Sequence, residues 1–139
     1  MFNLLPGPVT IRKEVLEEFS KLPISHRLDS FVDAVSELRS DLCKILSANF
    51  CQIITGSGTL ANDIIAYQLK LLKEHGLVLN SGEFGERLVD HAFRAQLKFE
   101  EFNVPWGGSF NLKEIEKTLE KKPNIKWIWL THCETSSGK

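Results

Sequence analysis

Thr55-Gly56-Ser57-Gly58-Thr59-Leu60-Ala61-Asn62-Asp63 leaves a short apolar run, residues 51–54, and opens a stretch in which Leu60, Ile64, Ile65 and Leu69 fall at helical spacing. A glycine-rich turn in that place suits an anion. The glycines let the backbone turn and approach closely, the first N–H groups of the helix have no partner within it, and the helix dipole favours negative charge. Ser57 and Thr59 add hydroxyl donors. The spacing Gly56-x-Gly58-x-x-Ala61 also fits a dinucleotide fingerprint, so a phosphate monoester, an NAD-type dinucleotide and a plain tight turn stay open at this point. Against the dinucleotide stand the long helical segment ahead of the turn and Asn80, which ends the next apolar run where a ribose-binding acid is expected. Glu83 is a poor substitute for that acid, and interleaved hydroxyls suit the several oxygens of a terminal phosphate.

Downstream, apolar runs at 77–79, 97–102 and 125–130 alternate with helical stretches over about residues 59–74 and 83–95 and one starting at Asn111. Gly76 reads as the stop of the first, Asn111 with Glu114 as the capping box of the third, and Pro123 as its end. With 51–54 taken as the first strand, the order is β-α-β-α-β-α-β. Strands separated by single helices run parallel with right-handed crossovers, and unbroken apolar strands are expected to be buried on both faces. Upstream, Thr10 is placed to cap a helix with Val15, Leu16 and Phe19 on one face. A longer helix follows, whose stripe of Leu28, Phe31, Val32, Val35, Leu38, Leu42, Ile45 and Leu46 predicts packing against a core. The fold class is α/β, a partial three-layer α/β/α sandwich preceded by two N-terminal helices, with a helical segment at 1–49 and an incomplete α/β domain at 50–139.

Composition narrows the function classes. Of 139 residues, 17 are basic and 18 acidic, so no single-sign field draws nucleic acid or anionic lipid. No membrane span or signal peptide is legible, and the expected location is the cytoplasm. Cys43, Cys51 and Cys133 are odd in number and lack C-x-x-C spacing; they read as buried thiols, and no metal site is expected. His26, His75 and His91 read as surface residues, and His132 as structural. An Arg87–Glu83 ion pair one helical turn apart is expected to matter little.

Several ordered motifs together resemble the class V aminotransferase family of fold type I pyridoxal-phosphate enzymes, of the alanine–glyoxylate and serine–pyruvate aminotransferase type. They are Leu5-Pro6-Gly7-Pro8, residues 56–63, Gly82-Glu83-Phe84-Gly85-Glu86-Arg87, Trp106-Gly107 and residues 132–138, and the resemblance covers nearly the whole chain. It implies pyridoxal 5'-phosphate as cofactor. Ser57, Gly58 and Thr59 would hold its phosphate, Phe84 would stack on its ring, Thr135 would bond near its phenolic oxygen with Glu134 and Ser136 nearby, and Gly7 would sit beside the substrate. It also implies amino-group transfer between a small amino acid and a 2-oxo acid such as glyoxylate or pyruvate, in a homodimer, with no nucleic acid and no membrane as partner.

In that family the Schiff-base lysine, the aspartate on the pyridine nitrogen and the arginine for the substrate carboxylate come later than the motif at 132–138. No catalytic residue is therefore assigned here, and Lys139 is not given the lysine's role. The expectation is an N-terminal portion of the fold type I large domain that forms a phosphate and ring pocket and is inactive alone. Outside the resemblance, an NAD-binding oxidoreductase domain and a non-catalytic remnant or interaction module are the alternatives.

Overall fold

The computed structural model describes residues 3–5 and 7–139, so Pro6 of the opening motif lies outside the described residues. The chain divides into two compact units, one ending at Thr55 and the other Gly56–Lys139.

The first unit carries the two expected helices, α1 at Lys13–Phe19 and α2 at Asp29–Ile45. Thr10 does not cap α1; Arg12 stands at the N-cap and makes no side-chain cap bond. Among the described residues no member of the apolar stripe of α2 is fully buried: Phe31, Val35 and Leu42 are half-buried, while Val32 is 54% and Ile45 77% exposed. Two helices without a sheet cover such a stripe only in part, which is why periodicity alone overstated its burial. Residues 51–54, expected as the first strand, form none. A strand exists through its ladder, and the Cys51 carbonyl instead accepts a bond from Arg39 Nε at 2.9 Å.

In the second unit the order is α3 (Gly58–Leu72), β1 (His75–Asn80), α4 (Glu83–Arg94), β2 (Lys98–Asn103), α5 (Leu112–Lys121) and β3 (Ile125–Leu130). The sheet has three strands, not four, in the order β2-β1-β3, and both pairings are parallel. Alternation along β1 sorts the layers. Val78 points to one side with Ala66 of α3, Leu88 and Ala92 of α4, and Trp127 and Trp129 of β3. Leu77 and Leu79 point to the other side, where Ile115 of α5 packs with Phe102 and Phe110 nearby. This is a three-layer α/β/α arrangement. Each of these large apolar side chains contributes on the order of 1.5–3 kcal/mol when fully buried.

Burial on both faces holds for β1 alone. In β3, Trp127 and Trp129 are buried while Ile128 and Leu130 stay 43% and 46% exposed. An edge strand covered by helices on one side only alternates in burial, whatever its composition.

Gly76 does not stop α3. The left-handed C-cap is Lys73, at φ 57°, and Gly76 lies within β1 opposite Trp127. A Cβ on Gly76 would fall 2.1 Å from the indole ring, so this glycine is there for close approach. At α5 the Asn111 side chain accepts from the Lys113 N–H at 3.1 Å, and Pro123 lies just beyond the helix end. Among the described residues no helix is long and apolar enough to cross a membrane.

Candidate functional site

The glycine-rich turn opens α3 as its sequence requires. Ser57 is the N-cap, and its Oγ accepts from the Leu60 N–H at 3.2 Å. Among the described residues nothing accepts from the N–H groups of Gly58 and Thr59. Both residues are exposed, and no atom lies within 4 Å of the position a Gly58 Cβ would take, so approach to these N–H groups is open. Gly56 serves a different end: a Cβ there would meet Leu60 Cδ2 at 2.4 Å.

The N-terminus of α4 is organised in the opposite sense. The Glu134 carboxylate, in the loop after β3, accepts from the Phe84 N–H at 3.1 Å and the Gly85 N–H at 3.0 Å, both through Oε2. Its Oε1 accepts from the Ser136 hydroxyl at 2.5 Å and the Ser136 N–H at 3.3 Å. Ser136 Oγ in turn accepts from the Glu83 N–H at 3.2 Å. The first three N–H groups of α4 are thus all satisfied from one loop. Glu134 is only 2% exposed. Burial works to push its carboxyl up, but the bonds from Ser136, Gly85 and Phe84 outweigh that and hold it below the ordinary glutamate range.

Phe84 and Thr135 are carried by this junction. Phe84, at 37% exposure, keeps part of its ring accessible, with the Arg87 guanidinium 5.0 Å from the ring centroid. Arg87 is held there by Glu83 at 2.9 Å, so the expected ion pair also places a cation over an aromatic ring. Thr135 is exposed, next to buried Glu134. Gly7 is exposed, with nothing within 4 Å of where its Cβ would be, and belongs to the first unit.

Asn80, where a dinucleotide site would have its acid, is turned to internal work. Its Oδ1 accepts from the Gly82 N–H at 3.2 Å and its Nδ2 donates to Glu101 at 2.8 Å. Glu83, the other candidate, is engaged by Arg87.

Two histidines read as surface residues are not. His91 is 3% exposed, and its Nδ1 donates to Asp63 Oδ1 at 2.6 Å, tying α3 to α4, while Arg94 lies 3.3 Å from the same carboxylate. Its signal was available: His91 shares a helical stripe with Leu88 and Ala95, both buried. Its partner was not, because Asp63 is 28 residues away in the chain. His75 begins β1 half-buried, with Nε2 3.5 Å from Glu100. Of the thiols, Cys43 and Cys51 are partly buried and Cys133 is exposed, since a loop beyond the strand ends offers it no cover. His132 is exposed and lines a cleft of about 350 Å³ with Phe110, Leu130 and Cys133. Among the described residues no group of three or more His, Cys, Asp or Glu is placed to hold a metal.

Comparison with known proteins runs along the whole chain. An uncharacterized aminotransferase of Helicobacter pylori is 30% identical over 138 residues, covering 99% of this chain and 37% of that protein. The 2-aminoethylphosphonate–pyruvate transaminase of Lysinibacillus sphaericus is 25% identical over 139 residues, 97% of this chain and 38% of that protein. The crystal structure of alanine–glyoxylate aminotransferase from Nostoc superposes with a TM-score of 0.79 at 30% identity, over 96% of this chain and 36% of that one. Along nearly its whole length this chain is similar to the N-terminal third or so of aminotransferases. It spans about 37% of the length of the curated relatives it matches first. No protein-family model matches the sequence. In fold, the partial three-layer sandwich corresponds to part of the fold type I large domain.

Proposed function

We propose that this chain supplies the phosphate and ring pocket of a pyridoxal-phosphate-dependent aminotransferase acting between a small amino acid and a 2-oxo acid such as glyoxylate or pyruvate. The observation that carries the reading is the N-terminus of α3, where among the described residues nothing accepts from the N–H groups of Gly58 and Thr59, beside the Ser57 and Thr59 side chains, in a chain similar to aminotransferases along nearly its whole length. Those donors fit a phosphate monoester. Two backbone N–H groups and the helix dipole meet its charge, and the Ser57 hydroxyl can donate its own proton while its oxygen accepts from Leu60. When bound, the cofactor supplies an electron sink at the substrate α-carbon. Phe84 offers a flat apolar face for its ring, and Thr135 a hydroxyl near the ring's polar edge. Gly7 leaves room for substrate. Residues 50–139 act as the cofactor-binding part and 1–49 as a helical extension; the complete enzyme is a cytoplasmic homodimer.

The test is thermal shift of the 139-residue chain with pyridoxal phosphate and with NAD, added separately. Pyridoxal phosphate should raise the midpoint and NAD should not; a response to NAD alone would overturn the reading. Ser57→Ala and Thr59→Ala should each weaken pyridoxal-phosphate binding by about tenfold, the loss expected for a bond to a charged group. Unchanged affinity in both would remove the phosphate assignment.

A further inference from the structure

Two features set Glu134 apart from an ordinary helix cap. It comes from 50 residues away in the chain, whereas a local cap sits within a turn of the helix it serves. It is also buried, and the chain makes room for it: a Cβ on Gly82 would stand 2.8 Å from Glu134 Cγ and Cδ. Its two oxygens collect donors from both sides of the junction, Phe84 and Gly85 on α4 and Ser136 on the loop, and Thr135 lies between the two loop residues of this network.

We propose that Glu134 is the positioning residue of the ring pocket, a single buried carboxylate whose bonds to the Phe84, Gly85 and Ser136 donors set where Phe84 and Thr135 stand relative to each other. The proposal rests on the cofactor reading above. Glu134 touches neither ring nor phosphate in that reading and acts through the residues it holds. A glutamine in its place exchanges one acceptor oxygen for an NH₂ donor, which then faces N–H or O–H groups that are donors themselves. The junction loosens while the turn at 57–59, which shares none of these bonds, keeps its own. Loss of ring recognition without loss of phosphate recognition is the signature that separates positioning from general stability.

The test uses the 139-residue chain as wild type, Glu134→Gln and the milder Ser136→Ala, with pyridoxal phosphate and inorganic phosphate as separate ligands and amide exchange read at Phe84 and Gly85. In Glu134→Gln, pyridoxal-phosphate affinity should fall about tenfold, inorganic-phosphate affinity should hold, and exchange at both amides should accelerate; Ser136→Ala should show the same pattern to a smaller degree. Equal loss of both ligands, or loss of neither, would overturn the proposal. If wild type binds no pyridoxal phosphate, the cofactor reading falls on its own. In that case accelerated exchange at Phe84 and Gly85 upholds the clamp as a structural device, and unchanged exchange rejects it too.

Discussion

The N-termini of α3 and α4 pose the same physical problem and reach opposite solutions. Each presents unpaired N–H groups and the positive end of a helix dipole. At α4 the molecule supplies its own anion, the buried Glu134 carboxylate, and Ser136 completes the cap. At α3 a single serine side chain satisfies Leu60, and among the described residues nothing accepts from the N–H groups of the exposed Gly58 and Thr59. A helix end filled from within is a structural joint. One left open can take an anion from outside, and a cofactor phosphate is the anion proposed for it above.

Breaking the filled end should cost most. Glu134→Gln should lower unfolding free energy by about 2–3 kcal/mol, because buried donors lose a charged acceptor; urea denaturation measures it. The same experiment has a pH signature. The Glu134 carboxyl is held below its ordinary value of 4.5, so it binds a proton less readily folded than unfolded. The stability it contributes is complete above that ordinary value and is lost as pH falls through the lowered folded one. The gap between wild type and variant should therefore narrow on acidification; a gap constant with pH would mean that the carboxylate's charge is not what caps α4.

Gly82→Ala is next, at about 1–2 kcal/mol, since the added methyl presses on Glu134 and Ser136 in a packed junction. At the open end the effects should be smaller. Ser57→Ala removes the one cap bond of α3 and should cost about 1 kcal/mol, together with phosphate affinity. Thr59→Ala should change stability by no more than about 0.5 kcal/mol and affect ligand affinity alone. If Thr59→Ala destabilised the chain as much as Gly82→Ala does, the distinction between a joint and a site would collapse.

The open end was the more legible of the two. Glycines, a serine N-cap and helical spacing all lie within a few residues of one another, and so α3 and its turn could be read in place. The filled end could not be read that way. Glu134 and Ser136 were placed near the pocket by motif, but nothing local says that a carboxylate 50 residues downstream sits on the Phe84 N–H. The same limit applies to His91 and Asp63, and to Gly76, whose work is to admit Trp127 and not to end a helix.

By itself, the sequence determined the helices, the three hydrogen-bonded strands, the parallel α/β order and the glycine-rich turn. These follow from periodicity and capping, which act over three or four residues. Tertiary structure alone decided which apolar run becomes a strand, which faces are buried and which helix end is sealed. Residues 51–54 have the composition of a strand and no ladder, because hydrogen bonds need a neighbour that composition cannot provide. The α4 end is sealed because the pairing of β1 with β3 brings the loop after β3 to the start of that helix. A carboxylate then replaces water at the helix end, and the register of a sheet decides which carboxylate it is.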